Sequence, residues 1–163
     1  MWRRMIIDSI SSDPTWRQGD YREQPAGLST AIEVLYFMGN NPLQRYKEAP
    51  TLQKSDELLD AYVSTQLKTA DANDILYAVE ASRDYDPGPN LEKILAPLLA
   101  INFADDLINP PELGILEKEI RRVPRGEAIV VPMNDRTRGH GTHTLAAVWK
   151  NYLADFLSKT ELK

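Results

Sequence analysis

LEKILAPLLAINFADDLINPPEL, residues 91–113, is the stretch whose reading decides the fold. Its middle, Pro97 followed by Leu98-Leu99-Ala100-Ile101-Asn102-Phe103, is a nearly continuous apolar run. The run is too short for an ordinary globular helix, and it does not alternate as a strand with one wet face would. It therefore predicts a strand buried on both faces. Asp105-Asp106 ends it, and Asn109-Pro110-Pro111 opens a helix expected to reach about Arg122. A second run, 127–132 with Ala128-Ile129-Val130-Val131, predicts a second strand of the same kind. A polar loop follows, RGHGTHT at 138–144. Leu145, Val148, Trp149, Tyr152, Leu153, Phe156 and Leu157 then mark the apolar stripe of a last helix. Strand, crossover helix, strand and helix make a right-handed βαβα unit with two parallel strands over 91–163. Parallel strands buried on both faces need neighbours, and the chain offers no others of comparable quality. The sheet is expected to be incomplete.

Working outward to the N-terminal side, residues 1–90 read as helices and loops without a convincing strand. A helix over residues 2–10 stops at Ser11-Ser12-Asp13-Pro14, and WRQGDYREQPAGL has the Gly, Pro and Asp density of a structured loop. Leu28, Ala31, Ile32, Leu35 and Met38 predict an amphipathic helix over 28–38, ended by Gly39-Asn40-Asn41-Pro42. A polar stretch then runs to Lys54. Ser55 is the expected cap of the next helix, whose stripe is Leu58, Leu59, Tyr62, Val63 and Leu67. Asp71 is expected to start another, with Ile75, Leu76 and Val79 inward, fraying near Arg83 to Pro87.

Composition narrows the function classes. The 163 residues carry a net charge of −5, and the basic residues are scattered among acids. Neither suits a nucleic-acid binder. The 42% hydrophobic and 26% charged fractions are those of an ordinary globular chain. The absence of Cys removes disulfide, thiolate and cysteine–metal chemistry and fits a cytoplasmic location. No run is long enough to span a membrane, and the start MWRRMIIDSISSDP turns acidic too soon for a signal peptide.

In open α/β sheets, functional groups sit just past the carboxyl ends of the strands. That rule selects Asp105 and Asp106 after the first strand and residues 133–143 after the second. An acid in one loop and a histidine in the next are about a strand spacing apart, close enough for a carboxylate to orient an imidazole. His140 and His143 are the chain's only histidines. With no third nitrogen or oxygen ligand marked, they make a poor metal site, and neither a metal nor a cofactor is expected. Taken alone, the two aspartates could equally be a helix cap matched to the helix dipole.

Four stretches together resemble the homoserine O-acetyltransferase-like α/β-hydrolase family: SDPTWRQGDYREQPAGL, DANDILYAVEASRDYD, LEKILAPLLAINFADDLINPPEL and RGHGT. The resemblance covers nearly the whole chain. It implies the C-terminal part of an α/β-hydrolase fold, with a helical lid over residues 1–90 followed by the βαβα unit. It also implies that the acid of a Ser-Asp-His triad is Asp106, in the register Asp106-Leu107-Ile108-Asn109-Pro110, and that the base is His140 in Gly139-His140. Asp105 and His143 are second choices. Trp2, Trp16 and Trp149 are expected to pack in the core or lid. Arg83 and Tyr85 could face a cleft or form a lid salt bridge.

Two departures qualify the resemblance. No Gly-x-Ser-x-Gly nucleophile elbow is present. Gly27-Leu28-Ser29-Thr30-Ala31 follows Pro25 rather than a buried strand and ends in Ala. By the resemblance, the nucleophile, the oxyanion hole and the earlier strands would precede residue 1, and the chain alone is expected to be inactive. Further, the Arg, Tyr and Asp with which the homoserine enzymes recognise their amino acid fall, without a gap, on Ile32, Gly39 and Gly141. Loss of the charged groups argues against homoserine as substrate. Two readings of different class follow. One is part of an acyltransferase or ester hydrolase, working on an ester or thioester acyl donor once a complementing N-terminal half is supplied. The other is a non-catalytic remnant or homo-oligomeric interaction module.

Overall fold

Apolar residues at helical spacing account for the first of two units, Met1–Met38 with Arg45–Tyr85. The computed structural model describes residues 1–160. Ile6 and Ile10 of α1 (Trp2–Ser11), Leu28, Ala31 and Ile32 of α2 (Gly27–Gly39), and Ala72 and Leu76 at and inside α5 (Ala72–Ala81) make one buried cluster. Trp2, Trp16, Tyr62 and Val63 pack against it. α1 and α2 meet where Gly27 lies so close to α1 that an added Cβ would sit 1.8 Å from the Ser9 carbonyl oxygen.

The loop between α1 and α2 interlocks with the start of α5. Asp71 caps α5 through the N–H groups of Asn73 and Asp74, and also accepts from Tyr21 Oη (2.7 Å) and Gln24 Nε2 (2.8 Å). Gln24 Oε1 accepts the Ala72 N–H, and Trp16 Nε1 donates to Asn73 Oδ1 at 2.8 Å. Bonds from Gln24 and Tyr21, with smaller help from the Asp74 and Asn73 N–H groups, outweigh burial and hold the Asp71 carboxyl below its ordinary range.

Two expectations for this region need correction. The polar stretch running to Lys54, in which no helix is expected, contains α3 (Pro42–Glu48), with Pro42 at its first position and Asn41 Oδ1 accepting the Leu43 N–H. Its few apolar residues leave no helical stripe to read. The next helix, α4 (Leu52–Gln66), is capped by Thr51 rather than Ser55. Thr51 has the extended backbone a cap needs, and its side chain accepts the Lys54 N–H. Ser55 lies one turn inside.

The second unit comprises Gly39–Gln44 and the chain from Asp86 onward. β1 (Leu98–Phe103) and β2 (Gly126–Val131) pair in parallel, with Leu98 opposite Gly126 and Phe103 opposite Val131. A further bond from Ala104 N–H to the Val131 carbonyl carries the ladder one step past β1. The crossover is not the single helix expected. A 3-10 turn at Pro111–Leu113 is followed by Gly114 at φ +65°, and only then by the short α6 (Ile115–Glu119). A left-handed residue interrupts a right-handed helix, and Gly tolerates that conformation. Arg122 braces this side by bonding Glu92, Glu119 and the Gly88 carbonyl. α7 (Ala146–Thr160) closes the unit.

The strands are also less covered than their composition suggests. Only Asn102, Phe103 and Val131 are buried among strand residues, Val130 is 44% exposed, and no residue of α7 is buried. Two strands with helices of this length do not supply a second layer on both faces. An open cleft of about 960 Å³ lies beside β1, walled by Ala100, Ile101, Ile108, Pro110 and Leu116 among others. No helix among the described residues is long and apolar enough to cross a membrane.

Asp71→Ala removes a cap and two loop anchors together, so it is expected to cost about 1–2 kcal/mol at neutral pH. The Asp71 pKa is depressed in the fold. Its contribution is therefore complete above the unfolded aspartate value of about 4 and disappears as pH falls through the folded one. Chemical denaturation of the two proteins at pH 7 and at pH 3 should show the gap narrowing in acid.

Candidate active site

Parallel pairing in register brings the turns after β1 and β2 to the same end of the sheet, and there the structure places Asp106 beside His140. Asp106 Oδ2 lies 2.9 Å from His140 Nδ1. The carboxylate is 3% exposed, whereas the imidazole side chain is 34% exposed. Asp106 Oδ1 accepts the N–H groups of Ile108 (2.7 Å) and Asn109 (3.0 Å), which fixes the carboxylate across its own turn. Asn102 braces that turn from below. Its Nδ2 donates to the Asn109 carbonyl, and its Oδ1 accepts the Phe103 N–H, both at 2.8 Å.

Burial is the largest single influence on the Asp106 carboxyl and pushes its pKa up. The hydrogen bond from His140 and the N–H groups of Asn109 and Ile108, with the charge attraction of His140, outweigh burial, and the group titrates below its ordinary range. The site thus holds an ionised acceptor beneath a partly exposed ring. With Nδ1 turned to the carboxylate, Nε2 makes no hydrogen bond to the described residues and is free to take a proton from a substrate or nucleophile.

The second-choice residues take other places. Asp105 Oδ2 accepts from Asn41 Nδ2 (2.5 Å) and from the Gly139 N–H (3.0 Å), and makes no bond to either imidazole. His143 Nδ1 pairs with the His140 carbonyl at 2.6 Å, and the two rings lie 4.9 Å apart, tilted. Among the described residues, no three His, Asp or Glu side chains converge as metal ligands would. Ser29 sits in the first turn of α2, and the neighbouring Gly27 serves helix packing rather than a strand-to-helix elbow. Trp16 and Trp149 both spend their indole N–H within their own units, Trp149 on the His143 carbonyl. Arg83 pairs with Glu80 at 3.8 Å, and Tyr85 is exposed.

The sequence reading missed Asn41, Asn102 and Thr142, which hold the two turns in shape. It treated Asn41 as a helix stop. The one signal available was that Asn41 and Asn102 are polar residues beside or inside apolar runs, where a buried amide needs partners.

A parallel two-stranded sheet with a helical crossover and a closing helix fits the end of an α/β-hydrolase architecture. Solved structures agree at the level of fold. The chain matches homoserine O-acetyltransferase from Bacillus anthracis at a TM-score of 0.77 and 18% identity, over 94% of this chain and 47% of that one. It matches the acetyl esterase MekB at 0.69 and 21%, over 96% and 50%. It matches MGS-M2, an α/β-hydrolase enzyme from a Medee basin deep-sea metagenome library, at 0.63 and 16%, over 99% and 52%. The chain therefore has a partial α/β-hydrolase fold and spans about half the length of the structures it resembles. No protein-family model matches it, and no curated protein matches it in sequence.

His140→Ala removes the leading influence that keeps Asp106 ionised and leaves burial in place. The Asp106 carboxyl, followed by carbon-13 NMR, is expected to titrate at a higher pH in the variant. An unchanged titration would mean that the imidazole does not stabilise the charged carboxylate.

Proposed function

We propose that this chain supplies the acid and base of a Ser-Asp-His acyl-transfer site, with Asp106 as the acid and His140 as the base. The observation that carries this reading is the buried Asp106 carboxylate on His140 Nδ1 with Nε2 left open. In the reaction, His140 Nε2 takes the proton of a serine hydroxyl as its oxygen attacks an ester or thioester carbonyl. The same proton passes to the leaving alcohol or thiol as the carbonyl–leaving-group bond breaks. Water or an acceptor hydroxyl, losing its proton to His140, then attacks the acyl-serine; the acyl–serine bond breaks, the serine oxygen takes that proton back from His140, and the acyl product is released. Asp106 keeps the imidazole in the productive tautomer and stabilises its charged form.

The serine and the oxyanion donors belong, in this proposal, to a complementing polypeptide that also covers the half-exposed strands and the cleft beside β1. The first unit serves as its lid. The chain corresponds to the C-terminal half of the complete enzyme. Homoserine is not the acceptor. Positions Gly39 and Gly141, which fall where the homoserine enzymes carry Tyr and Asp, are neighbours in the structure, with a Cβ on Gly141 only 3.6 Å from the Gly39 carbonyl oxygen. The fold thus brings together two positions that the resemblance assigns to one substrate pocket, and here both lack side chains. A non-catalytic oligomeric module is the competing reading. The exposed faces of β2 and α7 favour it, but it gives the Asp106–His140 pair no task.

Reading the coding DNA upstream of Met1 in all frames should reveal a strand, a Gly-x-Ser-x-Gly turn and a helix. Joined to that segment, the chain is expected to hydrolyse p-nitrophenyl acetate, and His140→Ala should lower kcat by about 10²–10⁴-fold. The 163 residues alone should show no saturable hydrolysis. Saturable activity of the lone chain that His140→Ala abolishes would place the nucleophile on this chain and overturn the proposal.

A further inference from the structure

We infer that Asp105 is a positioning residue for His140, acting through the Gly139 N–H rather than through the ring. The inference rests on His140 being the base, and it gives the two adjacent aspartates distinct tasks. Among the described residues the His140 side chain makes its hydrogen bond at Asp106, so the place of its ring depends on the backbone that carries it. Both polar groups of Gly139, the residue before it, are taken. Its N–H donates to Asp105 Oδ2 at 3.0 Å. Its carbonyl accepts from Thr142 Oγ1 at 2.7 Å, and that same oxygen accepts the Arg138 N–H at 2.7 Å. Thr142 is fully buried. With the peptide on each side of its Cα held by a side chain, Gly139 has little freedom to rotate and carry the next residue off its partner.

Asp105 is itself fixed. Asn41 Nδ2 donates to the same Oδ2 at 2.5 Å, and Asn41 is buried, with its Oδ1 committed to the Leu43 N–H. Gly139 also fits closely against this segment. It has φ +59°, and an added Cβ would lie 2.9 Å from the Asn40 carbonyl carbon. One oxygen of Asp105 therefore joins the segment before α3 to the residue that presents the base.

The other oxygen of Asp105 indicates what kind of group is needed. Oδ1 is buried and accepts no hydrogen bond among the described residues. Asp105 thus works as a single acceptor, and an amide can replace it. An Asn at this position can set its oxygen where Oδ2 sits, at the cost of burying an NH2 without an acceptor. Asp106 differs, because it must meet an imidazole that becomes charged.

The test is proton and nitrogen-15 NMR of the whole chain, in which His140 and His143 give the only imidazole signals. The readout is the His140 Nδ1–H resonance bonded to Asp106. Protection of the Ala104 amide, which extends the β1–β2 ladder, reports whether the second unit remains folded. Asp105→Ala is expected to broaden or remove the Nδ1–H signal with the Ala104 amide still protected, and Asp105→Asn to retain both. A signal that survives Asp105→Ala would overturn the inference. So would its loss in Asp105→Asn, which would show that charge rather than an acceptor is required. Should Asp105→Ala unfold the unit, Asp105→Asn decides alone, retention supporting the inference and loss refuting it. The measurement reads geometry and not turnover. It can therefore fail while the proposed triad stands, and the ester assay can fail while this result holds.

Discussion

The parallel pairing of β1 with β2, residue for residue from Leu98–Gly126 to Phe103–Val131, is the constraint on which the site depends. Equal strand lengths in register bring both chains out of the sheet at one level. A shift of one residue would turn every strand side chain to the opposite face and separate the two turns. The extra bond from Ala104 to Val131 holds that level one step further, so the acid turn and the histidine loop start from a fixed base. Asp106 then needs only a tight turn to face His140. Asn102, at the end of β1, shapes that turn with both ends of its amide.

This arrangement was partly legible before any coordinates. Continuous apolar runs gave the two strands to within a residue, and the rule that chemistry gathers past strand ends narrowed the candidates to Asp105-Asp106 and residues 133–143, within which the structure pairs Asp106 with His140. The supporting groups were not legible, for a physical reason. Asn41 meets Asp105 across 64 positions, and Gly139 meets Asp105 across 34. Such bonds are made by tertiary approach and impose no period on the sequence. The helix α3 was missed because a capped, proline-initiated segment need carry little apolar signal. The break at Gly114 was missed because one glycine in a helical pattern is ordinarily tolerated.

The stretches that carried the resemblance have a different meaning once seen folded. SDPTWRQGDYREQPAGL and DANDILYAVEASRDYD are two sides of one joint: Trp16, Tyr21 and Gln24 on the first engage Asp71, Ala72 and Asn73 on the second. Their unusual composition reflects mutual hydrogen bonding within the helical unit. Their hydrogen bonds join two ends of one helical unit.

The second unit is discontinuous, because Gly39–Gln44, from the last residue of α2 into the start of α3, belongs to it. During synthesis this has a consequence for timing. The residues that form the helical cluster have all emerged once Leu76 is made, and that part can collapse at once. Asn41 must wait for Asp105, 64 residues later, roughly 3–13 s at the usual ~5–20 residues per second of translation. Through that interval Asn41 remains without that partner. The order in which the ribosome delivers the chain makes the anchor of the histidine loop among the last contacts to close.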